Sequence, residues 1–185
     1  MSSSASGWSI RQARPDDFAA LGQLLVSAYA ALPGMPSPEA WPAYYEMLAN
    51  VATRAANPAF TLFVAADDNG KLLGSIDYID DLTQYGVSTV ATITDAAGVR
   101  LLAVDGACQG QGVGKALAKF CIDHARRTGK ARIILHTTRL MQTAWTMYER
   151  LGFVRFPEID FRVENIDVFG FRLDIAETPR SLNAG

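Results

Sequence analysis

The chain has 185 residues, of which 49% are hydrophobic and 19% are charged, and its formal net charge at pH 7 is -2. This length and hydrophobic content suit a single compact domain with a substantial core. The weakly acidic charge argues against a nucleic-acid-binding surface, so we expect no nucleic acid as a partner.

The cysteines and the two ends of the chain bear on location and boundaries. Cys108 and Cys121 are too few for a disulfide framework, and no cysteine or histidine spacing is typical of a metal site. Residues 1–7 lack the features of a secretory signal, and no apolar run approaches the length of a membrane span. We therefore expect a cytoplasmic protein without metal or membrane contact, with a flexible leader over 1–7, one domain over 8–176 and a C-terminal tail over 177–185.

The N-terminal part predicts a strand followed by two helices. Residues 8–14 alternate loosely, as an edge strand does, and Pro15 with two acidic residues then marks a helix start. This helix should run over about 16–29. Prolines interrupt it, and Ser37 is a suitable N-cap for a second helix over about 38–55.

A hairpin is predicted next. Two β-prone runs, 59–66 and 71–79, flank Asn69-Gly70, a dipeptide that strongly favours a tight turn. The connection that follows is long and polar, but it contains a β-prone run over 87–94. This run either extends the hairpin or forms a flap.

The stretch after residue 98 changes character abruptly. The apolar run 99–104 predicts a buried strand, and glycines then occupy every second position at Gly110, Gly112 and Gly114. Apolar residues recur beyond them at helical spacing as far as about Gly129. Glycines at a helix entrance let another molecule approach the main chain, and free N–H groups there attract anions. The pattern predicts either a phosphate cradle or a tight turn that packs the helix on a sheet.

Two common phosphate motifs do not match this stretch. A Walker loop needs glycine where Gln109 stands and serine or threonine where Ala116 stands, and a dinucleotide fingerprint needs a small residue at Leu117. Downstream, the runs 132–137, 153–156 and 168–175 predict strands. The first of them should lie parallel to 99–104 through a right-handed crossover.

Two motifs resemble those of the GCN5-related N-acetyltransferase (GNAT) superfamily. Residues 109–114, Gln-Gly-Gln-Gly-Val-Gly, resemble its Gln/Arg-x-x-Gly-x-Gly/Ala signature, and the run from Tyr148 to Phe153 resembles its later Tyr-x-x-x-Gly-Phe. The resemblance covers about residues 99–153. It implies an α/β (α+β) fold in which a mixed, mostly antiparallel sheet of six to seven strands, with a splayed parallel pair, is flanked by about four helices.

The resemblance also implies acetyl-coenzyme A (acetyl-CoA) as cofactor. The pyrophosphate would be held by the residues of the glycine loop, which are Gln109, Gly110, Gln111, Gly112, Val113, Gly114 and Lys115. The main chain of Leu102, Ala103 and Val104 would hold the pantetheine arm, with the Val104 N–H directed at the thioester carbonyl. One position departs from the family: Met141 stands where many members have a cofactor-binding asparagine.

Tyr148 is the expected general acid, because a phenol remains a proton donor at neutral pH and a thiol leaves more easily when protonated. The alternative is that its ring merely packs in the core. A general base must deprotonate the amine, and His136 is the first candidate, although a histidine in an apolar strand also suits the core. Weaker candidates are Asp77, Asp80, Asp81 and Asp105.

Aromatic residues of the first two helices are candidate contacts for the acceptor, because these helices line the acceptor cleft in the family. Tyr29, Tyr44 and Tyr45 are the expected substrate-binding residues, with Trp41 beside them; the alternative is that they are core residues. Acidic residues over 158–167 either attract a cationic amine or form a solvated surface.

The sequence thus predicts an acetyl-CoA-dependent N-acetyltransferase that acetylates a primary amine of a small molecule or peptide by direct transfer in a ternary complex. The competing hypothesis is an acyl-CoA-binding sensor or interaction module with little turnover. A longer acyl chain or transfer to oxygen also stays open. We expect a monomer or a homodimer, since this fold can pair through its last strands.

Overall fold

The computed structural model describes residues 7–175, so the predicted leader (apart from Gly7) and the predicted tail lie outside the described residues. Eight strands and five helices form within this range. In chain order they are β1 (Trp8–Gln12), α1 (Phe18–Ala30), α2 (Pro42–Ala49), α3 (Val51–Ala56), β2 (Phe60–Asp67), β3 (Leu72–Ile79), β4 (Ala96–Val104), α4 (Val113–Arg127), β5 (Arg132–Thr137), α5 (Gln142–Arg150), β6 (Val154–Arg155), β7 (Phe161–Val163) and β8 (Ile166–Asp174).

The strands build one mixed sheet in the order β1-β2-β3-β4-β5-β8-β6, with β7 paired to β8. Among the described strands, β4 and β5 are the parallel pair, and the other pairings are antiparallel. The predicted fold class is therefore confirmed. The strand that the sequence does not predict is β7, because charged residues around it are typical of a solvated connection.

Helices cover both faces of the sheet. On one face α4 and α5 pack over a core that includes Leu117 and Leu135. On the other face α1 and α2 pack over a core that includes Leu25 and Val64. Successive side chains of a strand point to opposite faces, so each central strand contributes to both cores.

The second predicted helix is two helices in the structure. The first of these, α2, begins at Pro42 rather than near residue 38. It ends at Ala49, because the backbone leaves the helical region at Asn50. The Asn50 side chain then accepts a hydrogen bond from Thr53 N at 3.3 Å, which caps α3. An asparagine inside a helical pattern favours such a cap over helix continuation.

The connection between β3 and β4 forms turns rather than the strand that its β-prone residues suggest. It begins with a short 3-10 helix at Leu82–Gln84, and Val90 is buried in a third apolar cluster with Tyr85 and Ile134. Gly98 of β4 makes room for this segment, since a Cβ there would lie 2.5 Å from the Tyr85 ring. The run 87–94 therefore does not extend the hairpin.

Candidate active site

The glycine loop leaves the end of β4 and enters α4. Asp105 accepts a hydrogen bond from Ala107 N at 2.8 Å, which closes a 3-10 turn over Gly106–Cys108. Gly110 and Gly112 follow with φ angles of 77° and 83°, in the left-handed region that glycine adopts without strain. A Cβ at either position would meet nothing within 4 Å, so the space in front of the loop is open.

The entrance of α4 is suited to an anion. No side chain caps the helix at Gly112, and the first-turn N–H groups of an α-helix have no intrahelical acceptor. The helix dipole adds positive potential there, and Lys115 is exposed in the first turn. These features fit the pyrophosphate of a coenzyme A molecule.

Val113 and Gly114 pack the start of α4 against the sheet. Val113 is buried in the core beneath α4. At Gly114 a Cβ would lie 3.3 Å from Val104 Cγ2, so the glycine lets the first turn approach the end of β4 closely. Both residues therefore hold the helix entrance in place against the sheet.

A gap opens between β4 and β5 beside this loop. The parallel pairing ends at Val99↔Leu135, so residues 100–104 diverge from β5. A β-bulge accompanies the divergence, because Ser75 pairs with Ala103 but Asp77 pairs with Arg100. The two pairings leave β4 with one residue more than β3.

Leu101 takes up the bulge. Its φ angle is 52°, which is rare for a residue with a branched side chain and marks local strain. The bulge turns Leu101 and Ala103 toward the α1 face, while Leu102 and Val104 pack against the α4 face. No strand within residues 7–175 pairs with the β5-facing edge of this segment, so its main-chain groups are free to bind a ligand.

A cavity of about 300 Å³ lies on the α1 face at this gap. Its wall combines residues from the helices, the β3–β4 connection, the two diverging strands and the β7–β8 hairpin. Aromatic and aliphatic side chains predominate: Tyr29, Met35, Trp41, Tyr44, Met47, Tyr85, Val87, Leu101, Met141, Phe161, Val163, Ile166 and Val168. Thr137, Thr138 and His136 line its β5 side, and Arg100 lines its β4 side.

The predicted acceptor residues divide into two groups. Tyr29 and Tyr44 line the cavity, and the Tyr44 ring stacks on Trp41 with centroids 4.6 Å apart. Tyr45 is not part of the wall, since its ring is buried and its hydroxyl donates to Pro36 O at 2.8 Å. Tyr45 thus ties the connection after α1 to α2, behind the cavity wall.

His136 is half-buried at the cavity, and both ring nitrogens are engaged. Nε2 lies 2.8 Å from Ile159 O, a pure acceptor, so Nε2 carries the hydrogen. In the neutral ring Nδ1 then accepts from the Tyr85 hydroxyl, 3.0 Å away. Burial lowers the pKa of His136, and the nearby Arg100 lowers it further. The ring is therefore a neutral base backed by a phenol.

Arg100 and Tyr85 are cavity residues that the sequence interpretation does not single out. Nη1 of Arg100 donates to Tyr85 O at 2.7 Å, and its guanidinium lies 5.3 Å from the Tyr85 ring centroid. An arginine inside the otherwise apolar run 99–104 is the one sequence signal that marks this position. Tyr85 has no comparable signal, because only the turn of the connection brings it to the gap.

A family model described as "Acetyltransferase (GNAT) family" matches residues 21–153, which is more than half of the chain. The chain belongs to this family. This is the family that the sequence predicts, and acetyl-CoA is the acyl donor of GNAT enzymes. The matched range contains the glycine loop, the gap and all of α5.

Solved structures share the GNAT fold. A GNAT-family acetyltransferase from Staphylococcus aureus Mu50 has a TM-score of 0.68 at 15% identity, with 91% of this chain and 99% of that chain covered. A putative acetyltransferase from Salmonella typhimurium, solved with its cofactor acetyl-CoA, has a TM-score of 0.68 at 20% identity, covering 94% and 97%.

Among curated proteins, mouse "Probable N-acetyltransferase family 8 member 5" is 39% identical over 54 residues. That match covers 29% of this chain and 24% of the mouse protein. The chain thus spans about a quarter of that relative's length.

In this GNAT chain Tyr148 belongs to the core on the α4 face. Its ring packs edge-on against Phe153, with centroids 5.5 Å apart. Burial raises the pKa of Tyr148 above its ordinary value near 10, and Cys121 and Tyr85 raise it further. Tyr148 is therefore a core residue, and its side chain is not among those that line the cavity in the described part of the chain.

The four aspartates that were weaker candidates for the base have structural partners. Asp77 is buried and pairs with Arg54 Nε at 2.9 Å, while its Oδ1 has no hydrogen-bond partner in residues 7–175. Burial raises the pKa of Asp77 to about 6, against the opposing influence of Arg54. Asp80 pairs with Lys130 at 3.2 Å, Asp81 caps the Leu82–Gln84 turn, and Asp105 caps the turn before the glycine loop.

The acidic residues over 158–167 do not line the cavity. Asp160 pairs with Arg155 at 2.6 Å, and Asp167 lies 3.6 Å from Arg162 at an exposed position. No group of metal-ligating side chains occurs among the described residues, and no helix there has the length and hydropathy to cross a bilayer.

Proposed function

We propose that this GNAT chain transfers an acetyl group from acetyl-CoA to a primary amine by direct transfer in a ternary complex. The observation that carries the proposal is the gap between β4 and β5, because the glycine loop and the aromatic cavity both border it. An anionic cofactor arm and an acceptor can therefore meet at one place. Holding two reactants in this way removes much of the entropic barrier to their reaction.

The glycine loop would hold the pyrophosphate through the N–H groups of Gln109 to Lys115. The open space before Gly110 and Gly112 admits the phosphate groups, and the freed main chain of Leu102 to Val104 would bind the pantetheine arm. Acetyl-CoA supplies an activated thioester. A main-chain N–H near Val104 would stabilise negative charge that develops on the thioester carbonyl oxygen.

The reaction forms a bond between the amine nitrogen and the acetyl carbon and breaks the bond between that carbon and sulfur. One proton must leave the nitrogen, and one must reach the sulfur. We assign the second transfer to Tyr148, whose raised pKa keeps its phenol protonated throughout the neutral range.

We assign the first proton transfer to His136, with Tyr85 as its link to the amine. The Tyr85 hydroxyl donates to His136 Nδ1. When the phenolic oxygen of Tyr85 takes a proton from the amine, it can therefore pass its own proton to Nδ1. His136 would then be the cation, still held by Ile159 O. The lowered pKa of His136 keeps the base neutral at the start of the cycle.

The test is calorimetric titration of acetyl-CoA into the protein, followed by thiol release on adding a panel of amines. Binding with thiol release supports the proposal. Binding without release for every amine favours the sensor hypothesis, and failure to bind acetyl-CoA refutes both.

A further inference from the structure

The cavity has an unusual charge distribution for a site that receives an amine. Among residues 7–175, Arg100 is the only fully charged side chain in the cavity wall, and none of the side chains that line it there is a carboxylate. His136 is neutral, and the remaining polar groups are phenols and threonine hydroxyls. A cationic polyamine would therefore meet the positive charge of Arg100 and no carboxylate of the described residues to bind it.

Arg100 has no acidic partner among the described residues. Its single hydrogen bond within residues 7–175 goes from Nη1 to Tyr85 O, which leaves four of its five N–H donors without an acceptor there. Its register partner on β3 is Asp77, but Asp77 forms its ion pair with Arg54. Arg100 lowers the pKa of Asp77 as a more distant charge, without a hydrogen bond between them. A half-buried guanidinium with no directly bonded carboxylate within residues 7–175 favours an anionic ligand.

The position of Arg100 is fixed. The bond to Tyr85 O and the contact with the Tyr85 ring, 5.3 Å from guanidinium to centroid, hold the side chain at the cavity. A guanidinium fixed in this way presents paired N–H groups that match the two oxygens of a carboxylate. Less side-chain entropy is lost on binding when the donor is already in place.

Tyr85 connects Arg100 to the proposed base. The His136 ring centroid lies 5.5 Å from the Tyr85 ring centroid, and the Arg100 guanidinium lies at a similar distance from the same ring. A molecule with an amine and a carboxylate only a few bonds apart can therefore contact both groups. The rest of the wall, with Trp41, Tyr44 and Phe161, is apolar and suits a hydrophobic body.

We propose that the acceptor is a free amino acid with a bulky apolar side chain, whose carboxylate binds Arg100 and whose amine faces the Tyr85–His136 pair. This inference rests on the proposed function, since it names the acceptor class of that site. A cavity of about 300 Å³ suits a molecule of this size, because it is at the small end of the range for ligand pockets.

The test compares acids with their amides on the full chain. Calorimetry with unacetylated CoA present measures binding of phenylalanine, leucine and tryptophan and of their carboxamides, without turnover. We expect each acid to bind about 10- to 100-fold more tightly than its amide, the effect of a charge-assisted hydrogen bond. Equal or weaker binding of the acids, or no binding of all three, overturns the proposal.

Variants locate the effect at Arg100. Arg100→Gln should abolish the preference for the acid while CoA affinity stays within about twofold, and Arg100→Lys should restore part of it. Arg150→Gln, the same change at an exposed position outside the cavity, should alter neither affinity. If Arg100→Gln weakens acids and amides equally, Arg100 does not read the carboxylate and the proposal fails.

The two proposals fail in different ways. Thiol release with many amines but no preference for acids would overturn the acceptor class and leave the acetyltransferase proposal standing. Acid binding that depends on Arg100, without thiol release on acetyl-CoA, would overturn the proposed function and support the ligand class alone.

Discussion

Gly112→Glu separates the cofactor role of the glycine loop from its structural role. Gly112 has a φ angle of 83° and is exposed at the entrance of α4. Its matched control is Gly129→Glu, because Gly129 has a φ angle of 77°, is exposed and follows the other end of the same helix. The 15 residues of α4 separate the two sites by about 22 Å.

Both changes strain the backbone, but their effects on cofactor binding should differ. A carboxylate about 5 Å from one phosphate group is repelled by about 1–3 kcal/mol at an effective dielectric constant between 80 and 20. Two phosphate groups therefore weaken binding by at least about 2 kcal/mol, or about 30-fold. Gly129→Glu places the same charge a helix length away and should leave CoA affinity within about twofold.

The two variants should rank in the opposite way in thermal stability, with Gly129→Glu the less stable of the two. A left-handed φ costs either variant about 1–2 kcal/mol. The helix dipole offsets about 0.3–1 kcal/mol of this at the N-terminal site and adds a similar cost at the C-terminal site. Gly129→Glu should therefore melt at a lower temperature than Gly112→Glu, by about 2–8 °C.

Calorimetric titration of CoA and a thermal melt on each protein complete the test. The cradle assignment is refuted if folded Gly112→Glu binds CoA within threefold of the parent chain. It is also refuted if Gly129→Glu loses as much affinity as Gly112→Glu.

Three further predictions concern the proton path and the core. Tyr148→Phe should lower kcat by about 100-fold or more while the Kd for acetyl-CoA stays within about twofold, and equal rates would remove Tyr148 from the mechanism. The pH profile of kcat/KM should rise through a pKa below 6.5, where His136 loses its proton. His136→Gln should flatten this rising limb, and an unaltered profile would show that His136 has only a packing role. Gly22→Ala should reduce the free energy of unfolding, measured by urea titration, by about 1–3 kcal/mol, because the new Cβ would lie 2.7 Å from Ala49 O. Unchanged stability would show that α1 and α2 can move apart without cost.

Much of the fold follows from local patterns in the sequence. The two β-prone runs that flank Asn69-Gly70 predict the hairpin of β2 and β3, and the apolar run before the glycines predicts β4, because each signal acts within a few residues. The break at Asn50 and the strand β7 are missed. At Asn50 a side-chain cap replaces helix continuation, and β7 forms by pairing with β8 across a short turn, which propensity alone does not reveal.

The candidate site divides in the same way. The glycine spacing by itself predicts either an anion-binding helix entrance or a tight turn, because conformation and main-chain access there depend on absent side chains. The order of the two motifs in the sequence, with the run from Tyr148 to Phe153 after the glycine loop, also needs no structure to be recognised. Each of these features lies within one continuous segment.

Only the tertiary structure decides what surrounds the cavity. The β4 bulge at Leu101 and the divergence of β5 open the cavity, and the turn before β4 brings Tyr85 to both Arg100 and His136. Tyr85 and His136 are 51 positions apart in the chain, so no local pattern links them. Their contact depends on sheet order and packing, which arise from the whole core rather than from any one segment.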